Sequence, residues 1–168
     1  SQTYDLKPDI ISCAKALSAA IQAISALLIN ERVYKAMLAQ SGKLGSFAHG
    51  YTYTGHPVAA AVALEVLKIY DEIDIVQHVK RVGAHFQKAL AKLADHPLVG
   101  DARGVGLIAG VDLVSNKKTR EPLKGAAAIQ DRAKENGLIL RFIGNRVAFS
   151  PPLIITEEQV DEMMSRLK

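Results

Sequence analysis

Several residue types that mark large protein classes are scarce or missing in this chain. Its 168 residues contain no tryptophan, a single cysteine (Cys13) and only 5% aromatic residues. One cysteine excludes an internal disulfide and favours a reducing compartment, so we predict a cytoplasmic protein. No apolar run is long enough to span a membrane and no signal peptide is visible, so we expect no membrane partner.

A strong charge of one sign is also missing. The chain has 21 Lys and Arg residues against 17 Asp and Glu residues, and the net charge of +4 is spread along its length. The densest cluster, residues 117–120 (KKTR), is typical of a solvated loop, with a phosphate patch as the alternative. Because no basic run or RNA-binding aromatic motif is present, we expect no nucleic-acid partner. His49 and His56 have no nearby carboxylate or cysteine, so we expect no metal site.

Hydrophobic patterning in the first half predicts two strands and two helices. Residues 10–14 and 24–29 are short apolar segments that indicate buried strands of the parallel type. Asn30 is placed to cap a helix over residues 31–39, and a polar loop over residues 40–55 follows. Pro57 suits the first position of a long helix. The apolar stripe predicted for that helix consists of Val58, Val62, Leu64 and Ile69.

The second half has the pattern of an α+β unit with a mostly antiparallel sheet. Residues 74–94 predict a long helix. Its apolar face would contain Ile75, Val79, Val82, Phe86, Leu90 and Leu93. Strands are predicted at residues 99–103, 106–114, 138–141 and 146–150, and helices at residues 125–136 and 157–167. Gly137 would end the first of these helices and the capping box Thr156–Gln159 would begin the second.

Lys15 stands alone among small and apolar residues in the segment PDIISCAKALSAA, residues 8–20. No acidic residue lies between Asp9 and Glu31, and a lysine is costly to bury without a partner. Apolar surroundings disfavour the charged form and make the neutral, nucleophilic amine accessible. The local sequence leaves open the alternative of a lysine at a strand end that extends its amine to solvent.

Two other segments carry residue types that bind anions. Tyr51, Thr52 and Thr54 supply hydroxyl groups just before the helix at Pro57, which is a favourable arrangement for a phosphate. Threonines that merely cap the helix are the alternative. Arg141, at the end of the predicted strand 138–141, offers a guanidinium that binds a carboxylate through two hydrogen bonds. A surface ion pair, for instance with Glu135, is the alternative there.

Four segments in order resemble one known family. They are PDIISCAKALS at 8–18, HGYTYTGHPVAAAVALEVL at 49–67, RGVGLIAGVDLV at 103–114, and GLILRFIGNRVAFSPPLIITEEQVDEM at 137–163. Together they resemble the C-terminal part of class III, fold type I, pyridoxal-phosphate-dependent aminotransferases, above all the ω-transaminase branch. The resemblance implies an α/β and α+β fold. It assigns residues 1–72 to the large domain, 73–98 to a connecting long helix and 99–168 to a small C-terminal α+β domain.

The resemblance also implies an activity and a set of site residues. It assigns Lys15 as the catalytic lysine that forms an internal aldimine with pyridoxal 5'-phosphate. Tyr51 and Thr52 would bind the cofactor, and Thr52 would reach the cofactor phosphate of the partner subunit, which implies a homodimer with a shared active site. Arg141 would bind the substrate carboxylate. The reaction would move an amino group from an amine or ω-amino acid to a keto acid.

Two departures from the family pattern stand out. Ala16 and Ala23 occupy positions where the family usually has glycine and proline. The aspartate that binds the pyridine nitrogen would precede Ser1, so we expect a fragment that is inactive alone. An aminomutase of the same family and a non-catalytic oligomerisation or binding module remain alternatives. An aspartate upstream of Lys15, in the family's context, would exclude the module.

Overall fold

A boundary between Glu72 and Ile73 divides the chain into two units. The structure is a computed structural model that describes residues 2–167. Ser1 and Lys168, the outer bounds of the predicted domains, lie outside the described residues. The assignment of 1–72, 73–98 and 99–168 to parts of a longer enzyme stays a prediction.

The first unit has a two-stranded antiparallel sheet. Strand β1 (Ile10–Cys13) pairs with β2 (Ala26–Ile29). Strands of the parallel type were predicted, but these two pair antiparallel with each other, because their connection contains only the short 3-10 helix Lys15–Leu17 and no crossover helix. The predicted burial of these strands is also wrong within residues 2–167, since Ile10 is 50% exposed and Leu27 is 65% exposed.

Helix α1 (Glu31–Leu44) is longer than predicted. Asn30 caps it as expected, because its side-chain oxygen accepts a hydrogen bond from the Val33 amide at 3.0 Å. The helix continues past residue 39 and ends at Gly45, whose φ of +82° suits glycine. The loop predicted over residues 40–55 therefore begins later.

Helix α2 (Pro57–Glu72) begins at Pro57 as predicted but buries a different face. The predicted apolar stripe is wrong, since Val58 is 57% exposed and Leu64 is 69% exposed. The buried residues are Ala59, Ala63 and Val66. Two of these three side chains are methyl groups, which let neighbouring backbone approach the helix closely. The larger apolar side chains of α2 lie mostly on the exposed side.

The second unit has a five-stranded sheet covered by helices. Its helices are α3 (Ile75–Ala91), α4 (Ala126–Glu135) and α5 (Glu157–Leu167). Its strands are β3 (Val99–Val105), β4 (Ile108–Asn116), β5 (Glu121–Pro122), β6 (Arg141–Ile143) and β7 (Arg146–Phe149). The order is β3-β4-β7-β6, with β5 paired to β4, and every pairing is antiparallel. This confirms the predicted sheet type.

The predicted apolar face of α3 forms much of the core of the second unit. Val82 and Phe86 are fully buried and Leu90 is 1% exposed. The Phe86 ring lies 5.8 Å from the Phe149 ring of β7, measured between centroids. Val160 of α5 is also fully buried. Burying side chains of this size contributes about 1.5–3 kcal/mol each.

The position of Arg141 in its strand differs from the predicted one, because of the way helix α4 ends. Gly137 ends the helix with φ +76° as predicted, and the Leu138 amide donates to the Ala133 carbonyl at 2.8 Å. This helix-ending contact occupies the residues predicted to begin the strand. Arg141 therefore begins strand β6 and does not end one. The Thr156–Gln159 capping box is confirmed by reciprocal hydrogen bonds of 3.0 and 3.2 Å.

A close approach of α3 to the β3–β4 turn explains why residue 83 is a glycine. A Cβ atom at Gly83 would lie 2.8 Å from the Gly106 Cα and 2.9 Å from its carbonyl carbon. We expect Gly83→Ala to destabilise the protein by about 1–3 kcal/mol, because backbone atoms must move to admit the methyl group. Urea unfolding measures this change.

Gly42 in α1 is the matched control, because nothing lies within 4 Å of a Cβ atom placed there. Gly42→Ala should leave stability unchanged or raise it by up to about 1 kcal/mol, as for an open helical site. Equal effects of the two substitutions would contradict the close approach.

Candidate active site

Lys15 lies in a strained turn immediately after strand β1. It opens the 3-10 helix Lys15–Leu17 with φ +56°, in the left-handed region. That conformation costs a non-glycine residue about 1–2 kcal/mol. Ala19 and Ala20 also have positive φ values, +49° and +63°. Strain of this kind is concentrated at functional sites and must be held by surrounding contacts.

The side chain of Lys15 is exposed, and it forms no ion pair within residues 2–167. The expected apolar surroundings of this lysine are therefore absent from the described part of the chain. The strands beside Lys15 do not supply those surroundings, because most residues of β1 and β2 are themselves exposed. The amine is free of any described carboxylate and accessible for chemistry.

The alanine that replaces the family's glycine needs no special backbone conformation. Positive φ occurs at Lys15 itself and not at Ala16. An alanine is therefore accommodated at position 16 without backbone strain.

Two hydrogen bonds that sequence analysis missed hold the Lys15 turn. The hydroxyl of Ser18, which is 2% exposed, donates to the Gln22 carbonyl at 2.5 Å. The hydroxyl of Tyr70, on helix α2, donates to the Ala16 carbonyl at 3.0 Å. The spacing of Tyr70 from Ala59, Ala63 and Val66 was the available signal, since it places the tyrosine on the same helix face.

The start of β1 is fastened to the start of α1 by Asp9. Its carboxylate accepts hydrogen bonds from Arg32 at 2.6 Å and from the Asn30 side chain at 2.5 Å. The backbone amide of Asn30 also donates to the backbone carbonyl of Asp9 at 2.9 Å. The hydrogen bond from Arg32, together with that from Asn30, lowers the pKa of the Asp9 carboxyl.

The loop before α2 is folded on itself through hydrogen bonds of Thr54 and His56. Thr54 closes the turn, because its hydroxyl accepts from the Tyr51 amide at 2.8 Å and its amide donates to the Tyr51 carbonyl at 2.9 Å. His56 caps α2, with Nδ1 accepting from the Ala59 amide at 3.3 Å. Tyr51 and Thr52 are both exposed. Of the hydroxyl-bearing residues, Thr54 therefore has a structural task, while Tyr51 and Thr52 present their side chains to solvent.

An open groove of about 1020 Å³ runs along this loop. Its aromatic and imidazole walls are formed by Phe47, His49, Tyr51, Tyr53 and His56. Neither Lys15 nor Thr52 lines the groove. The structure therefore brings one predicted site residue, Tyr51, to the groove and leaves the other two outside it.

Arg141 belongs to the second unit and is exposed at the start of β6, opposite Ala148 of β7. It forms no ion pair within residues 2–167. The alternative partner, Glu135, instead pairs with Arg132 at 3.0 Å. The guanidinium of Arg141 thus remains available for a carboxylate.

The second unit also contains a charged cluster that sequence analysis missed. Arg103 binds Asp101 and Asp112, the latter at 2.7 Å. Arg146 binds the other oxygen of Asp112. The hydrogen bonds from Arg146 and Arg103 lower the pKa of Asp112, although partial burial opposes this shift. Because the charges are paired with one another, the cluster joins neighbouring strands of the sheet.

The donor types in the first unit fit this chain's share of a pyridoxal phosphate site. Lys15 supplies an accessible primary amine beside a strained turn. Tyr51 and Thr52 supply hydroxyl groups ahead of the N-terminus of α2, and donors in such a place suit a phosphate.

A profile of the family described as aminotransferase class-III matches residues 1–168. The chain belongs to the class III aminotransferases. It is 42% identical over 167 residues to a probable gamma-aminobutyrate transaminase 3, mitochondrial, of Oryza sativa subsp. indica, covering 97% of this chain and 33% of the relative. It is 45% identical over 170 residues to a probable gamma-aminobutyrate transaminase 4 of Oryza sativa subsp. japonica, covering 98% of this chain and 35% of the relative.

Solved transaminases have the same fold. A structure described as a transaminase with L-ala superimposes with a TM-score of 0.96 at 50% identity, covering 99% of this chain and 40% of that one. The ω-transaminase of Pseudomonas jessenii in complex with PMP superimposes with a TM-score of 0.95 at 43% identity. The match covers 99% of this chain and 38% of that one. The predicted family and fold type I class are confirmed. This aminotransferase chain spans about a third of the length of the curated relatives it matches.

Within residues 2–167, no helix has the length and apolarity to cross a membrane.

The Asp9 contact predicts a pH dependence. A lowered carboxyl pKa means that the contact stabilises the fold above the ordinary carboxyl pKa of about 3.9, and that this contribution is lost as the pH falls through the lowered value. We expect Arg32→Ala to raise the pKa of Asp9 toward its ordinary value. An NMR titration with ¹³C-labelled aspartate reports that midpoint directly.

Lys35→Ala serves as the control, because Lys35 pairs with Glu31 at 3.4 Å and not with Asp9. If Arg32→Ala leaves the Asp9 midpoint where it was, the assignment of Arg32 as the main cause of the shift is wrong.

Proposed function

We propose that this chain carries the catalytic lysine of a pyridoxal-phosphate-dependent aminotransferase. The enzyme moves an amino group from an amine or ω-amino acid to a keto acid. The observation that carries the proposal is the position of Lys15, an accessible amine on a strained turn directly after β1, in a chain that matches the class III family over its whole length. Backbone strain of this kind is concentrated at functional sites, which favours a chemical role for Lys15.

The cofactor, when bound, supplies the electron sink that stabilises negative charge at the reacting substrate carbon. The chain's own contribution begins with Lys15, whose Nζ attaches the cofactor. When Nζ is not holding the cofactor, its neutral amine would accept a proton from one carbon and return it to another, as general base and acid. A turn that fixes the start of the lysine side chain limits the positions that Nζ reaches.

Tyr51 and Thr52 are proposed as cofactor-binding residues. Their hydroxyl groups lie on the loop before α2, where Thr54 and His56 already satisfy the local backbone. Neither Tyr51 nor Thr52 needs its hydroxyl to hold that loop. Following the family resemblance, we propose that Thr52 serves the cofactor phosphate of a partner subunit in a homodimer.

Arg141 is proposed as the residue that binds a substrate carboxylate. It has no acidic partner within residues 2–167, and its long stem allows the guanidinium to move. A carboxylate group on the keto acid would provide the charge partner.

The relatives guide the choice of substrates and location. Their names describe gamma-aminobutyrate transaminases and an ω-transaminase. One of those names reads mitochondrial, and the name of a further relative from Solanum lycopersicum reads chloroplastic. A cytoplasmic location remains our prediction from the single cysteine. We also expect residues 1–168 alone to show no transamination, since they cover about a third of the matched relatives.

The direct test locates the cofactor lysine in the full-length enzyme that carries this chain. Borohydride reduction of the cofactor-loaded enzyme, followed by peptide mass mapping, should place the pyridoxyl group on Lys15. Lys15→Ala should abolish transamination, while Lys35→Ala, an exposed residue of α1, should not. A pyridoxyl group on any other lysine contradicts the proposal.

Thr52→Ala should weaken cofactor binding about ten- to a hundredfold, because a hydrogen bond to a charged group contributes about 1.5–3 kcal/mol. Equilibrium titration of the cofactor-free enzyme measures this, and the absorbance of the saturated enzyme should remain normal. Thr119→Ala, at another exposed threonine, is the control. An affinity that does not change would remove Thr52 from the phosphate site.

Arg141→Ala should separate the two half-reactions. The keto-acid half-reaction should lose about ten- to a hundredfold in kcat/KM, since one charge-assisted contact with the carboxylate disappears. The half-reaction with a neutral amine should change little. Single-turnover changes in cofactor absorbance report each half-reaction, and Arg132→Ala is the control. Equal losses in both half-reactions would indicate a structural role for Arg141.

A further inference from the structure

The Lys15 turn depends on few contacts of its own. Three of its backbone hydrogen bonds are long, with Leu17 to Ala14 at 3.3 Å, Ser18 to Lys15 at 3.2 Å and Ala19 to Ala16 at 3.3 Å. These distances lie at or just beyond the upper end of the usual range for amide hydrogen bonds. A strained turn with weak internal bonds requires external support if Lys15 is to keep one conformation.

Helix α2 provides that support through Tyr70. Its hydroxyl donates to the Ala16 carbonyl at 3.0 Å, across 54 residues of sequence. Tyr70 is half-buried and continues the buried face of Ala59, Ala63 and Val66 at helical spacing. The tyrosine is therefore held by the helix and reaches the residue that directly follows the lysine.

The contact is well placed to control the lysine. A hydrogen bond to the Ala16 carbonyl restricts rotation of the peptide unit between Ala16 and Leu17, one residue beyond Lys15, and the buried Ser18 hydroxyl restricts the far end of the same turn. We propose that Tyr70 is a positioning residue for Lys15, which acts through the Ala16 carbonyl without touching substrate or cofactor. This inference rests on the proposed role of Lys15.

The test uses Tyr70→Phe in the full-length enzyme, because this change removes the hydroxyl and keeps the ring. In the cofactor-free enzyme, hydrogen exchange at the amides of residues 17–21 should become about two- to tenfold faster, as expected for the loss of one neutral hydrogen bond. In the loaded enzyme, the amine and keto-acid half-reactions should both slow by a similar factor. KM and cofactor affinity should remain unchanged.

Tyr34→Phe is the matched control, because Tyr34 is 50% exposed on α1 and its hydroxyl has no hydrogen bond within residues 2–167. Tyr34→Phe should change neither the amide hydrogen exchange of residues 17–21 nor the rates of the two half-reactions. Borohydride mapping on the same samples separates the two proposals. A pyridoxyl group elsewhere than Lys15 overturns the proposed function and this inference with it. A pyridoxyl group on Lys15 with wild-type exchange and rates in Tyr70→Phe overturns the inference alone, as does a lower thermal midpoint without any change in rates.

Discussion

The left-handed conformation of Lys15 is the constraint on which the first unit depends. Lysine resists this conformation, so the chain around it must supply the free energy that keeps it there. The turn's own hydrogen bonds are long, and it is closed by one buried serine and by a tyrosine from α2. The Asp9 contact with Asn30 and Arg32 holds the strand that leads into the turn. The chemistry proposed for Lys15 thus rests on contacts made by residues that themselves perform no chemistry.

Local signals in the sequence predicted the second unit well. The apolar face of α3, the glycine end of α4 and the capping box of α5 each depend on residues close together in the chain. The strand at β7 was also predicted, at residues 146–150. The beginning of β6 was wrong because the helix ending at Gly137 uses Leu138 for a hydrogen bond to Ala133. Propensity alone does not show which of two adjacent elements takes such a residue.

The first unit was predicted less well because burial depends on neighbours, which periodicity does not reveal. Apolar runs at residues 10–14 and 24–29 indicate strands that prefer to be buried, yet Ile10 and Leu27 are exposed in the structure. On α2 the largest apolar side chains suggested the wrong face, because the contact is made by alanines. Tyr70 could have been placed by its spacing from these alanines, but its hydrogen-bond partner lies 54 residues away. Long-range contacts of this kind were beyond the reach of local patterns.

The two units hold their candidate site residues by different means. Arg141 begins a strand that pairs with β7, in a sheet whose core contains fully buried side chains such as Phe86 and Val160, so strand pairing and packing together fix its backbone. Lys15 has no comparable core beneath it, since the buried residues of α2 are small and the adjacent strands are exposed. Its backbone is held by directional hydrogen bonds, each of which contributes about 0.5–1.5 kcal/mol. A guanidinium that moves, as we propose for Arg141, tolerates a rigid base, because its long side chain supplies the motion. A lysine that returns a proton to one particular atom, as we propose for Lys15, depends on the direction of its backbone, and hydrogen bonds specify direction more closely than apolar packing does.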